Sequence, residues 1–165
     1  MLTVKCDQVL LPNGNMSQRE YVVHPGAVLI VPILPNGHVL LEKQFRYPLH
    51  QVFVELPAGK IDHNEDILIT GQRELLEETG YTAKTWFNLG LQHPCIGYSN
   101  EVIHMFLATD LNAGAHQRDD DELLEVFDAS FSDCFAMIQN GEITDGKTIT
   151  ALFLAEKFLQ LNAML

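Results

Sequence analysis

Glu74, Glu77 and Glu78 stand at i, i+3 and i+4 within GKIDHNEDILITGQRELLEETGY, residues 59–81. At about 100° per residue, that spacing puts three carboxylates on one stripe of a helix. Like charges so placed repel by roughly 0.2–0.5 kcal/mol per pair. Glu77 and Glu78 also lie just before Gly80, a helix stop, where the macrodipole disfavours anions by a further ~0.3–1 kcal/mol each. A cation reverses the sign of every one of these terms. Hard divalent ions such as Mg²⁺ take carboxylate oxygens and keep places for water and substrate phosphates. Without a ligand, such a run of acids is a solvated helix face. Leu56-Pro57-Ala58-Gly59 just upstream points the other way, because a glycine beside the helix lets backbone approach a ligand or metal. Arg73 and Glu65 carry opposite charges and can pair to brace the loop against the helix, a structural role.

The helix that must carry these acids is predicted over residues 65–79, with Asn64 as N-cap and Gly80 as a left-handed stop. Leu68, Gln72, Leu75, Leu76 and Thr79 share one side at helical spacing, so that face is expected to pack on a sheet. Apolar runs between Pro, Asn and Gly clusters predict strands at 2–11, 17–24, 27–34, 38–45 and 52–56. Further strands are expected at 85–92, 101–109 and 123–127, with a polar loop at 111–121. Two helices, 131–140 and 145–161, close the chain. Antiparallel hairpins with few helices predict an α/β sandwich around a mixed sheet.

The 165 residues fit one domain, and 47% are apolar, which excludes intrinsic disorder. Asp and Glu number 22 against 10 Lys and Arg, a net charge of −12. That balance argues against nucleic acid, whose phosphates need clustered cations, and against an anionic membrane surface. It leaves an anionic substrate open, because a bound metal reverses the local sign. The charge is also uneven. Residues 59–81 hold six acids and two bases, and residues 116–128 hold six acids and one base. Cys6, Cys95 and Cys134 are far apart and odd in number, so neither a disulfide framework nor a thiolate zinc site is expected, and a reducing cytoplasm is the simplest location. The first residues lack a cationic segment followed by an apolar one, and no apolar run reaches the ~20 residues of a membrane span. The seven histidines show no ligand spacing such as H-E-x-x-H.

The segment 59–81 resembles the Nudix box, G-x5-E-x7-R-E-U-x-E-E-x-G-U with U a bulky aliphatic. Gly59, Glu65, Arg73, Glu74, Leu75, Glu77, Glu78 and Gly80 occupy its positions, and Tyr81 departs mildly from the last. Seven such identities at ~7% each would arise by chance about once in 10⁸ positions. The resemblance implies hydrolysis of a nucleoside diphosphate linked to another moiety, on a Nudix α/β/α sandwich with a mixed sheet and a loop–helix–loop catalytic motif. It implies a metal set of the Ala58 carbonyl, Glu74 and Glu78, commonly joined by Glu77, holding Mg²⁺ or Mn²⁺. Glu77 and Glu78 are then catalytic through the metal, while Gly59, Glu65 and Arg73 are structural.

Flanking stretches resemble the ADP-ribose pyrophosphatase branch of that family. They are 19–28 (REYVVHPGAV), 42–48 (EKQFRYP), 55–59 (ELPAG) and 141–148 (GEITDGKT), in order over most of residues 17–160. The branch implies substrate contacts from Arg19 and Arg46, whose forks suit phosphate oxygens. Tyr21 could stack on a base, though a strand tyrosine otherwise packs plainly. The branch is typically a homodimer whose N-terminal strands, here within residues 1–24, cross to the partner. It also uses a glutamate from a late acidic loop to activate water. Glu122 is the expected base, with Asp121 and Asp120 as alternatives. One departure stands out. Where the branch has a Pro-Ser-Pro-Gly-like loop, this chain reads Pro94-Cys95-Ile96-Gly97, while Glu101 keeps an acidic residue.

The reading that follows is Mg²⁺-dependent hydrolysis of ADP-ribose to AMP and ribose 5-phosphate. Ile96 motivates the alternative of another nucleoside diphosphate sugar, such as GDP-mannose. A nucleotide sensor without turnover is a third reading, but such proteins usually lose box glutamates, and all are present here.

Overall fold

The structure, a computed structural model, describes residues 3–114 and 124–162. Among the described residues, nine strands and three helices follow in the order β1 (Thr3–Leu10), β2 (Met16–Val23), β3 (Ala27–Pro32), β4 (Val39–Arg46), β5 (Gln51–Glu55), β6 (Ala58–Lys60), α1 (Ile67–Thr79), β7 (Tyr81–Gln92), β8 (Ile103–Ala113), β9 (Leu124–Ala129), α2 (Phe131–Asn140) and α3 (Gly146–Asn162). A 3₁₀ turn, Tyr47–Leu49, joins β4 to β5.

The centre is β3, AVLIVP, every residue of which is buried. A strand buried on both faces reads as a continuous apolar run, as this one does. Its pleat splits the core. Leu29 and Val31 face a cluster with Met105, Leu107, Ala151 and Leu152, so α3 covers that side. Val28 and Ile30 face a second cluster with Leu75 and Phe106, so α1 covers the other. Each of these Val, Leu, Ile, Met and Phe side chains contributes about 1.5–3 kcal/mol on burial. The mixed sheet runs β6-β3-β8-β7, with β3 parallel to β8 and the outer pairs antiparallel. An antiparallel sheet, β5-β4-β9, lies beside it, and β1-β2 form a separate hairpin. The expected α/β/α sandwich with a mixed sheet is the fold observed.

The loop–helix boundary differs from expectation. The N-cap of α1 is Asp66, whose carboxylate accepts from the Leu68 and Ile69 N–H groups, and not Asn64. Asn64 instead takes a left-handed turn position (φ 64°), which asparagine tolerates. Gly80 ends the helix in the left-handed conformation (φ 75°), as predicted. The buried side of α1 is also rotated. Gln72 is exposed, whereas Thr70, Gly71, Glu74, Leu75, Glu78 and Thr79 are buried. The cause is Gly71: a Cβ there would come within 3.2 Å of Val28 and 3.3 Å of Trp86, so the helix presses on the sheet at that point. The rotation carries Glu74 and Glu78 inward.

Two further differences come from pairing. Ala58–Lys60, flanked by Pro57, was not predicted as a strand, but it is held as one by antiparallel pairing with β3. Residues 111–113 lie in β8 rather than in the expected polar loop, because the β7 ladder extends to Tyr81↔Ala113. Among the described residues, no helix is long and apolar enough to cross a membrane.

Candidate active site

The C-terminal half of α1, β6 and the end of β4 enclose a cavity of about 510 Å³, whose lining includes Ala58, Gly59, Glu74, Glu77 and Glu78. Glu74 and Glu78 are only 9% and 3% exposed. Buried carboxylates need hydrogen bonds or counter-charges, since an unpaired buried charge is costly. Glu78 accepts the Ala58 N–H at 2.9 Å. Glu74 and Glu77 both accept from Arg73 Nη1, at 2.8 and 2.9 Å. Arg73 also grips Glu65 through Nε at 3.0 Å and Nη2 at 2.9 Å, and its Nη2 reaches the Lys60 carbonyl at 3.2 Å. It thus joins the loop before the helix, the strand and the acidic stripe. The Arg73 hydrogen bonds hold the Glu65 carboxyl down at about 2, and the Arg73 guanidinium is pushed up in turn.

Gly59 is required by space. Its φ is not in the left-handed region, but a Cβ added there would sit 1.8 Å from Glu74 Oε1 and 1.9 Å from its carboxyl carbon. The backbone gap expected from the glycine is therefore filled by the Glu74 carboxylate itself. Gly59→Ala is expected to displace that carboxylate more than it damages the fold, because the obstructing group is the end of a side chain. The off-rotamer cost to Glu74 is about 0.5–1.5 kcal/mol. Metal titration of activity, run beside thermal melts, checks this: the half-saturating metal concentration should rise while Tm shifts little. A large Tm loss with unchanged metal dependence would contradict it.

The donor set fits a hard divalent ion. Three carboxylates and the Ala58 backbone border one cavity, and the Glu74 carboxylate occupies a recess that only glycine leaves open. Among the described residues, no three His, Cys, Asp or Glu side chains converge as a ready-made cage. Arg73 occupies the space between Glu74 and Glu77 in their place.

The remaining predicted residues divide. Arg46 lines the cavity and pairs with Glu55, Nε to Oε1 and Nη2 to Oε2, both at 2.7 Å. Nη1 takes no part in that pair. Burial pushes the Glu55 carboxyl up, but the Arg46 hydrogen bonds and the Lys147 charge outweigh it, and the net shift is downward. Arg19 and Tyr21 do not line this cavity. Arg19 donates to Ser17 Oγ and the Gln18 carbonyl, and Tyr21 donates to Asp7 at 2.9 Å, all on the β1–β2 hairpin. Glu122, Asp121 and Asp120 lie outside the described residues.

Several cavity residues received no role from the sequence, among them the polar side chains of His24, Gln44, Lys60, Asp62 and Lys147. Gln44 was legible from Arg46, since residues two apart on a strand share a face. His24 is 9% exposed, accepts the Gly26 N–H at Nδ1 (3.1 Å), and stands 3.7 Å from Glu101, which also borders the cavity. The loop with Ile96 is tied to β2, where the Val22 N–H donates to the Tyr98 carbonyl at 2.8 Å; Ile96 itself is 84% exposed.

Comparison with known proteins agrees with this geometry. An ADP-ribose pyrophosphatase of Bacillus subtilis is 39% identical over 96% of this chain and 85% of its own length. A methanol dehydrogenase activator of Bacillus methanolicus is 35% identical over 100% of this chain and 88% of its own. A solved ADP compounds hydrolase superposes with a TM-score of 0.89 over 100% of this chain and 90% of that one, at 23% identity, a likeness of fold. The family model described as NUDIX domain matches residues 23–150, a span that takes in the glycine recess, the arginine brace and the buried glutamate stripe. With its signature residues assembled around one cavity and most of its length matched, the chain belongs to the Nudix family.

Proposed function

We propose that this chain hydrolyses the pyrophosphate of ADP-ribose to AMP and ribose 5-phosphate, with Mg²⁺ as the working ion and Mn²⁺ as a substitute. The observation that carries the reading is the burial of Glu74 and Glu78 beside Glu77 on a helix end that disfavours them, facing a cavity large enough for a diphosphate. The similarity to an ADP-ribose pyrophosphatase over 96% of the chain supports the substrate.

Glu74, Glu77, Glu78 and the Ala58 carbonyl would hold the ion. When bound, it supplies charge neutralisation for the diphosphate and a lowered pKa for water. The chain's own groups do the rest. Arg46, whose Nε and Nη2 are held by Glu55, offers Nη1 to a phosphate oxygen, which orients the bond to be cleaved. Arg73 holds the carboxylates apart and in line. Glu122 takes the proton of the attacking water. Arg19 and Tyr21 serve the substrate of a second copy in a homodimer, through the β1–β2 hairpin. That hairpin pairs chiefly with itself and exposes Val4, Leu10 and Met16.

Incubation with ADP-ribose and Mg²⁺, followed by chromatography, should yield AMP and ribose 5-phosphate, abolished by EDTA. A panel including GDP-mannose ranks substrates by kcat/KM. Absence of AMP with every divalent metal tried would overturn the proposal. Sedimentation should give a dimer; a fully active monomer would remove Arg19 and Tyr21 from the site.

A further inference from the structure

We propose that Lys147 is a substrate-binding residue of this site. With Arg46 it forms a cationic side of the cavity that takes diphosphate oxygens, and Glu55 is the buried counter-ion that positions both. The inference rests on the reading of the cavity as a diphosphate site and gives a role to Lys147, which the resemblance of residues 141–148 left without one.

Lys147 and Arg46 border both the main cavity and an adjoining one of about 290 Å³, whereas Glu55 borders only the second. The two cations therefore reach the main cavity while the carboxylate that gathers them stays behind. Glu55 is 2% exposed and receives Arg46 at both oxygens and Lys147 at Oε2. Lys147 Nζ also bonds Asp145 Oδ2 at 2.9 Å and is 18% exposed.

A purely structural staple does not account for this lysine. Its place in the first turn of α3 is where the helix macrodipole disfavours a cation. The helix is already fastened there without it. Thr148 Oγ1 accepts the Leu56 N–H at 3.0 Å and donates to Asp145 at 2.6 Å, and Asp145 also accepts the Thr148 N–H at 3.0 Å. Arg73, a further cation lining the cavity, is committed to Glu65, Glu74 and Glu77. Two cationic heads from β4 and α3 thus border a cavity whose other wall, α1, is acidic, while the carboxylates that balance them, Glu55 and Asp145, border only the adjoining cavity. A dianionic linkage bridging a metal on α1 and cations on β4 and α3 satisfies both walls. Arginine contributes Nη1, outside its pair with Glu55, and lysine a compact point charge, two different directions of approach to the phosphate oxygens.

The test compares wild type with Lys147→Met and Lys147→Arg. It reads KM and kcat for ADP-ribose, calorimetric affinity for inorganic pyrophosphate with Mg²⁺, and Tm. A charged hydrogen bond to phosphate predicts that Lys147→Met raises KM and weakens pyrophosphate binding about tenfold or more. Because ground and transition states both use the contact, kcat should stay within about threefold. Lys147→Arg should recover most of the affinity. Should Lys147→Met fail to fold, Lys147→Gln, which keeps a donor toward Asp145, carries the same expectation. A lowered Tm with unchanged KM and unchanged pyrophosphate affinity would reduce Lys147 to a staple and overturn the inference. If wild type turns over no nucleotide sugar and Lys147→Met still loses pyrophosphate affinity, the substrate assignment falls and the cationic wall stands. If wild type cleaves ADP-ribose and Lys147→Met changes neither constant, the reverse holds.

Discussion

Glu78→Gln is expected to lower kcat for ADP-ribose by about 10³-fold, since a metal's stabilisation of the transition state is worth several kcal/mol. The fold should survive. Glutamine retains an oxygen that can accept the Ala58 N–H, now at 2.9 Å, and fills the same volume at a position only 3% exposed. Removing one negative charge from a stripe of three near a helix C-terminus relieves repulsion, so Tm should hold or rise. A second readout isolates the metal. Ligand that binds only the folded state raises Tm, so Mg²⁺ should stabilise wild type measurably and Glu78→Gln far less. An unchanged rate would take Glu78 out of the metal set.

Glu122→Gln is expected to lower kcat by about 10²–10⁴-fold, the usual contribution of a general base, with KM little altered. The metal-dependent rise in Tm should persist, because the carboxylates on α1 are untouched. The acidic limb of the pH–rate profile should disappear with the base. Wild-type activity in this variant would move the role to Asp121 or Asp120, which share the acidic run with it. The two substitutions are thus distinguishable: one loses metal binding and rate together, the other loses rate alone.

Much of the site was legible before any coordinates because its grammar is local. The i, i+3, i+4 glutamates and the glycine stop state a helix and a stripe within fifteen residues, and Arg73 and Glu65 are close enough in sequence for their pairing to be proposed. The pairing exists at 2.9–3.0 Å. Asparagine suits both an N-cap and a left-handed turn, so residue type alone does not separate the two roles for Asn64, and the chain path does. Helical spacing puts Gln72 on the packed face, but spacing alone cannot register the approach that Gly71 allows, which turns Gln72 outward. Lys147 lies 92 residues from Glu55, beyond any pattern of sequence neighbours.

Residue type and helical period suffice to place three carboxylates on one stripe, so the acidic helix is legible from the sequence alone, while the reaction class follows from the resemblance to the Nudix box. The charge of −12, concentrated in two segments, already outlined them. The inward turn of Glu74 and Glu78, the need for a small residue at 59 to admit a carboxylate, and the sharing of buried Glu55 by a lysine and an arginine from distant elements emerge from the packed fold alone. These depend on how a helix sits on a sheet and where a third helix begins, which are set by the packing of β3 from both faces. Packing sums contacts across the whole chain, and no local spacing encodes it.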